Sequence, residues 1–155
     1  MVAYFYLRLE YNLLRDKVMN KKVQGVNHIA IAVPDLDQAE KLWCDKLGLR
    51  KGKREIIESE GVEIQMIFAG DTRIELVSPL SEDSPIAKYL SKNGPGLHHI
   101  AFQVNDCAEM IAHCLDNDVK LVNEEVRVGA HETKIAFTHP KSTSGVLCEW
   151  VETGE

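Results

Sequence analysis

The sequence has four cysteines and no CxxC pair among them, no surplus of basic residues, only 6% aromatics and no low-complexity tract. Each absence removes a class of protein. Cys44, Cys107, Cys114 and Cys148 each lie in a periodic apolar segment and read as buried free thiols of a reducing compartment, not as a disulfide framework or a structural zinc site. A net charge of −6 excludes general attraction to nucleic acid or to anionic lipid, since both need a basic surface. Charge-free apolar runs are also missing. The start, residues 1–22, is interrupted by Arg8, Glu10, Arg15 and Asp16 before a signal-peptide core or a membrane span can form. The expectation is a cytoplasmic protein that holds any anionic ligand through a metal or a few local cations.

What is present is the balance of a globular chain, 45% hydrophobic and 27% charged over 155 residues. That length suits one domain, or two small halves that share a core. Residues 1–22 read as an extension in which Leu7, Leu14 and Val18 share a helix face, and residues 23–155 as the domain.

A repeat organises that domain. His28-Ile-Ala-Ile-Ala-Val33 returns as His99-Ile-Ala-Phe-Gln-Val104, an offset of 71 (99 − 28), and Ile74-Glu75-Leu76-Val77 is echoed by Cys148-Glu149-Trp150-Val151, an offset of 74 (149 − 75). Two similar offsets indicate a duplicated module with a small change of loop length. Each copy reads as strand, helix and three strands, so the fold class is α+β with tandem βαβββ modules at about 23–94 and 95–152. Their sheets are expected to share a cupped cavity with the helices outside.

In the first copy, a β-branched strand over 26–33 ends at Pro34-Asp35. Asp35 caps a helix with Gln38 as its partner, Ala39, Leu42, Trp43 and Leu47 form the apolar stripe, and Gly48 stops it. Strands follow at 51–58, 62–69 and 72–77, then a short helix over 84–92 with Pro85 at its first position. The second copy gives a strand at 97–104, a helix at 106–117 and strands near 120–127, 133–138 and 146–151.

Each copy places one His on its first strand and one Glu on its last, among apolar neighbours. A charge there is costly unless something pairs with it. Taken singly, each residue reads as structural or as an outward-facing side chain on a strand. Taken as a repeated set in a shared cavity, His28, Glu75, His99 and Glu149 converge by pseudo-symmetry. Imidazole nitrogen and carboxylate oxygen suit Zn²⁺, Co²⁺, Ni²⁺, Mn²⁺ or Fe²⁺, and a set without thiolate fits an open catalytic site better than a closed structural one.

These residues resemble the vicinal-oxygen-chelate superfamily, which includes glyoxalase I, extradiol dioxygenases and bleomycin-resistance proteins, over about residues 25–152. Within it the chain looks most like the methylmalonyl-CoA epimerase family, through Asn27-His-Ile-Ala-Ile-Ala-Val-Pro-Asp35, Ser84-Pro-Ile-Ala87, Gly96-Leu-His-His-Ile100, Val128-Gly-Ala-His131 and His139-Pro-Lys-Ser142. The resemblance implies one divalent metal on His28, Glu75, His99 and Glu149, with His99 the ligand of the His-His pair and His98 structural.

It further implies an isomerase that interconverts (2R)- and (2S)-methylmalonyl-CoA through a metal-stabilised enolate. Glu149 is then one base. Glu63 matches the second base in kind, although gap-free counting from Gly61 reaches Ile64, and Gln65 shares the parity of Glu63. Lys141, Ser142 and His131 are the expected substrate contacts, an acyl-CoA the substrate, and a homodimer the assembly. Two rivals stand beside this: a glyoxalase I-type isomerase with the same ligand set, and a non-enzymatic sequestering protein of the same fold.

Overall fold

The structure, a computed structural model, describes residues 22–154. The extension at 1–22 and its helix face therefore lie, Lys22 apart, outside the described residues. The domain opens with β1 (Val23–Ala32), followed by α1 (Leu36–Glu40), β2 (Arg50–Ile57), β3 (Val62–Ala69), β4 (Thr72–Pro79) and α2 (Pro85–Asn93). The second copy runs through β5 (Gly96–Val104), α3 (Cys107–Asp116), β6 (Arg127–Val128), β7 (Lys134–Thr138) and β8 (Leu147–Glu152).

Both βα turns are capped in one way. The Asp35 carboxylate accepts from the Gln38 main-chain N–H at 2.9 Å, and Asp106 does the same for Glu109 at 2.8 Å, satisfying a donor that a helix start leaves unpaired. Beyond Glu40 the first helix continues in π geometry over Lys41–Lys46, and the Leu47 N–H donates to Leu42 O at 3.0 Å. That wider turn rotates the expected stripe. Leu36 and Ala39 are buried, whereas Leu42 and Leu47 face solvent.

The eight strands form one sheet in the order β2-β3-β4-β1-β5-β8-β7-β6, curled into a half-barrel. At its centre β1 and β5 run antiparallel and join the modules, and each pairs in parallel with the last strand of its own copy, β1 with β4 and β5 with β8. The convex face is covered by α1 and α3, whereas α2 packs its Ile86 against Ala30, Ile64 and Val77 on the concave side. Leu36 and Ala39 pack with Ile67 and Leu76 on one side, and Cys107, Met110, Ile111 and Cys114 with Trp150 on the other. Burying a side chain of this size contributes about 1.5–3 kcal/mol.

The concave face is lined by residues of the other parity, including Ala30, Val62, Ile64 and Val77 in module one and Ala101, Ile135 and Val151 in module two. Cys107, Cys114 and Cys148 are buried and, with the half-buried Cys44, are free thiols. One expected element is reduced. In place of a strand over 120–127 only Arg127–Val128 is extended, because Asn123-Glu124-Glu125 are poor strand formers; the preceding chain is held by Val122 N–H on Phe137 O and His139 N–H on Lys120 O, both 2.8 Å. No described helix is long and apolar enough to cross a membrane.

Candidate metal centre

Strand register accounts for the site. In the parallel β1–β4 pair Ala30 lies opposite Glu75, and in the parallel β5–β8 pair Ala101 lies opposite Glu149. His28 and His99 stand two residues before those alanines, hence on the same face. Ala30 and Ala101 are fully buried and add no bulk between the ligands. The pleat therefore delivers one His and one Glu from each module to the concave face, and all four are buried.

Three of them meet. His28 Nε2 and His99 Nε2 are 3.3 Å apart, and Glu149 Oε2 lies 3.2 Å from the first and 3.0 Å from the second. Glu75 Oε2 stands slightly off, 3.7 Å from His28 Nε2.

The outer ring nitrogens are occupied. His28 Nδ1 bonds Asn27 Oδ1 at 2.9 Å, and Asn27 Nδ2 in turn donates to Gln103 Oε1 at 2.6 Å. His99 Nδ1 bonds His98 Nδ1 at 2.8 Å. Burial, with the neighbouring His99, lowers the His98 pKa to about 4, so His98 is neutral. The Nδ1 bonds hold both rings with their Nε2 atoms toward the Glu149 oxygen.

Two ring nitrogens and a carboxylate oxygen within 3.3 Å of one another form a donor set that a cation stabilises. Burial opposes the charge on His28, yet the hydrogen bond to Glu149 and the charges of Glu75 and Glu149 outweigh it and raise its pKa. Burial likewise opposes the Glu149 charge, but the two imidazoles beside it pull its pKa down to about 2. Glu75, deeply buried, has its pKa raised by desolvation against the pull of His28. The donor set thus fits a divalent ion with two imidazoles and one or two carboxylates.

The cluster lies in a cavity of about 260 Å³ whose walls are mainly apolar, among them Ile57, Val62, Ile64, Ile86 and Phe137. Two ion pairs close the sheet across its open side. Arg127, on the edge strand β6, reaches Glu60 just after β2 at 2.7 Å. His131, in the β6–β7 loop, holds Glu55 of β2 with Nδ1 to Oε2 at 2.6 Å. Glu60 is half-buried; desolvation raises its pKa, the Glu149 charge adds to this, and Arg127 opposes both.

The other expected site residues lie elsewhere. Glu63 has the parity of Ile67, away from the cavity, and its carboxylate receives Arg54 Nε at 2.9 Å and Nη2 at 3.3 Å; it does not reach the site. Gln65, on that same side, is buried and spends its amide on Gly52 O at 2.9 Å and Met66 O at 3.0 Å. Lys141 is exposed in a single helical turn, Pro140–Ser142, outside the cavity lining, and Ser142 Oγ accepts from the Lys120 N–H at 2.9 Å. Of the three expected substrate contacts, His131 alone lines the cavity.

Residues 27–137 match the model of the Glyoxalase/Bleomycin resistance protein/Dioxygenase superfamily. The chain belongs to that superfamily.

Several of its relatives within the superfamily are epimerases. The human mitochondrial methylmalonyl-CoA epimerase is 38% identical over 125 residues, 80% of this chain and 71% of that protein. Among solved structures, methylmalonyl-CoA epimerase from Mycobacterium tuberculosis superposes with a TM-score of 0.82 at 37% identity, covering 88% of this chain and 92% of the other. A methylmalonyl-CoA epimerase in complex with methylmalonyl-CoA and NH4+ superposes with a TM-score of 0.79 at 34% identity, covering 85% and 96%.

Sequence reasoning assigns His98 a structural role, and the structure makes it the holder of the His99 imidazole; Asn27, which holds His28, had no role assigned. The signal was available. Asn27 and His98 are themselves related by the repeat offset of 71 (98 − 27), each directly before a ligand His.

Proposed function

We propose that this protein is a metal-dependent epimerase that interconverts the (2R) and (2S) forms of methylmalonyl-CoA. The reading rests on one observation above all: His28, His99 and Glu149 converge at 3.0–3.3 Å in an apolar cavity, within a chain whose relatives are methylmalonyl-CoA epimerases over most of its length. His28, His99, Glu149 and the nearby Glu75 would hold a divalent ion, which would supply Lewis-acid stabilisation of negative charge on a substrate oxygen.

The residues divide the remaining work. Asn27 and His98 fix the two imidazoles so that their Nε2 atoms face the cavity. Ile57, Val62, Ile64 and Phe137 exclude water from the reacting carbon and lower the local dielectric, which strengthens charge interactions there. Glu149 takes or returns the C2 proton on the face it borders. Its depressed pKa keeps it ionised before the ion binds. Arg73 and Arg127, both in the cavity lining, supply cationic charge for an anionic substrate in a chain whose net charge is −6.

The test is incubation of metal-loaded protein with (2S)-methylmalonyl-CoA in D₂O. Deuterium entry at C2 together with formation of the (2R) epimer is expected. Absence of both, beside rapid turnover of a methylglyoxal-glutathione adduct, would replace this reading with a glyoxalase I-type isomerase.

A further inference from the structure

Inversion at C2 needs a proton-transfer group on each face of a planar enolate. Glu149 stands with His28, His99 and Glu75 on the concave floor formed by β1, β4, β5 and β8. A group for the other face must hang from the opposite side, where the edges of the curled sheet meet. Glu63 is bound to Arg54 outside the cavity, and Ile64, which does face inward, has no proton to give.

Two titratable side chains stand at the closed edges, Glu60 and His131. Glu60 is held by Arg127 at 2.7 Å. His131 is arranged differently. Glu55 Oε2 lies 2.6 Å from its Nδ1 in an ion pair and Glu55 Oε1 accepts its main-chain N–H at 3.2 Å, which turns that edge of the ring toward Glu55; Nε2 makes no hydrogen bond among the described residues.

The backbone bends to put it there. His131 and Glu132 both lie in the left-handed region, with φ of 55° and 59°, a conformation that costs non-glycine residues energy and is kept where surrounding contacts enforce it. Gly129 makes the approach possible, since a Cβ there would lie 2.7 Å from Ile135 Cγ2. An imidazole held by a carboxylate at one nitrogen and free at the other can both take and give a proton.

We propose that His131, oriented by Glu55, is the second proton-transfer residue, serving the face of C2 opposite Glu149; this rests on the epimerase reading above. In one direction Glu149 takes the C2 proton and the C–H electron pair passes into the enolate. Protonated His131 then gives its Nε2 proton to the other face of C2, and the enolate pair forms the new C–H bond. His131 is left neutral and Glu149 protonated, and proton exchange with water restores both. Glu55 is a positioning residue that acts through the imidazole.

The experiment uses the metal-loaded full chain with (2R)- and (2S)-methylmalonyl-CoA separately in D₂O, following exchange at C2 and epimer formation independently. For His131→Gln, epimerisation falls about 100-fold or more, while C2 exchange from the one epimer whose proton faces Glu149 stays within about tenfold of wild type. Parallel loss of exchange and epimerisation, or no loss of either, overturns the assignment. Glu55→Gln keeps the imidazole and is read in the same way, so a collapsed loop in the first variant does not decide the matter: a drop of about tenfold in epimerisation relative to exchange is expected, and equal losses overturn the role of the pair. Wild-type protein that exchanges neither epimer condemns the epimerase reading itself, whereas normal wild-type epimerisation with an unaffected His131→Gln condemns only His131.

Discussion

Arg127 Nη2 lies 2.7 Å from Glu60 Oε1, joining the two far edges of one eight-stranded sheet. Replacing Arg127 by Leu leaves a half-buried carboxylate without its cation. A loss of about 1 kcal/mol is expected, the scale of a partly exposed pair. Glu60→Gln in the same chain should recover most of it, because the stranded charge is then gone. Urea unfolding of the two single variants and the double variant measures this as a cycle.

Metal affinity should fall at least about 100-fold in His99→Ala and in Glu149→Gln, each of which removes a ligand from the three-residue cluster. Glu75→Gln should lose less, since its oxygen stands 3.7 Å from His28 Nε2. Titration calorimetry with Co²⁺ or Zn²⁺ on chelator-treated protein ranks them. Equal losses in all three would contradict the offset position of Glu75.

Glu63→Gln should leave epimerisation within about twofold of wild type, since its carboxylate engages Arg54 on the outer face and surface pairs of this kind contribute about 0–1 kcal/mol. A steady-state assay suffices. Loss of turnover in this variant would require the third strand to slip by one residue.

His98 is held neutral in the fold, with a pKa of about 4 against 6.5 for the free side chain. A depressed histidine pKa means that the unfolded chain binds the proton first. The contribution of His98 is therefore complete above about pH 6.5 and is lost as pH falls from there toward 4. Protonation costs the fold up to about 3 kcal/mol. His98→Asn should show a shallower decline in stability over that window. Thermal melts of metal-free protein at stepped pH provide the comparison.

The duplicated architecture and the placing of His28, Glu75, His99 and Glu149 in one buried group were legible because they repeat. The repeat offset made His28 and His99 equivalent positions of two copies, and a cavity shared by pseudo-symmetry then brings them together before any register is known. The second copy's third strand was not legible, since Lys120-Leu-Val keeps a strand pattern until Asn123-Glu124-Glu125 breaks it. Glu63 was the costliest ambiguity: one residue along a strand separates the cavity from the outer face, and only the pairing of Glu63 with Ser78 and of Ile64 with Val77 resolves it. The partnership of Glu55 with His131 spans 76 residues and has no local pattern. The π turn at Lys41–Lys46 was likewise invisible, because it changes which stripe is buried without changing composition.

The antiparallel β1–β5 seam divides the donor set evenly, His28 and Glu75 to one side and His99 and Glu149 to the other. Neither half holds a site of its own. Coordination energy in the proposed centre would be adhesion between the halves, and two fragments cut between Asn93 and Gly96 should reassociate far more readily when a divalent ion is supplied.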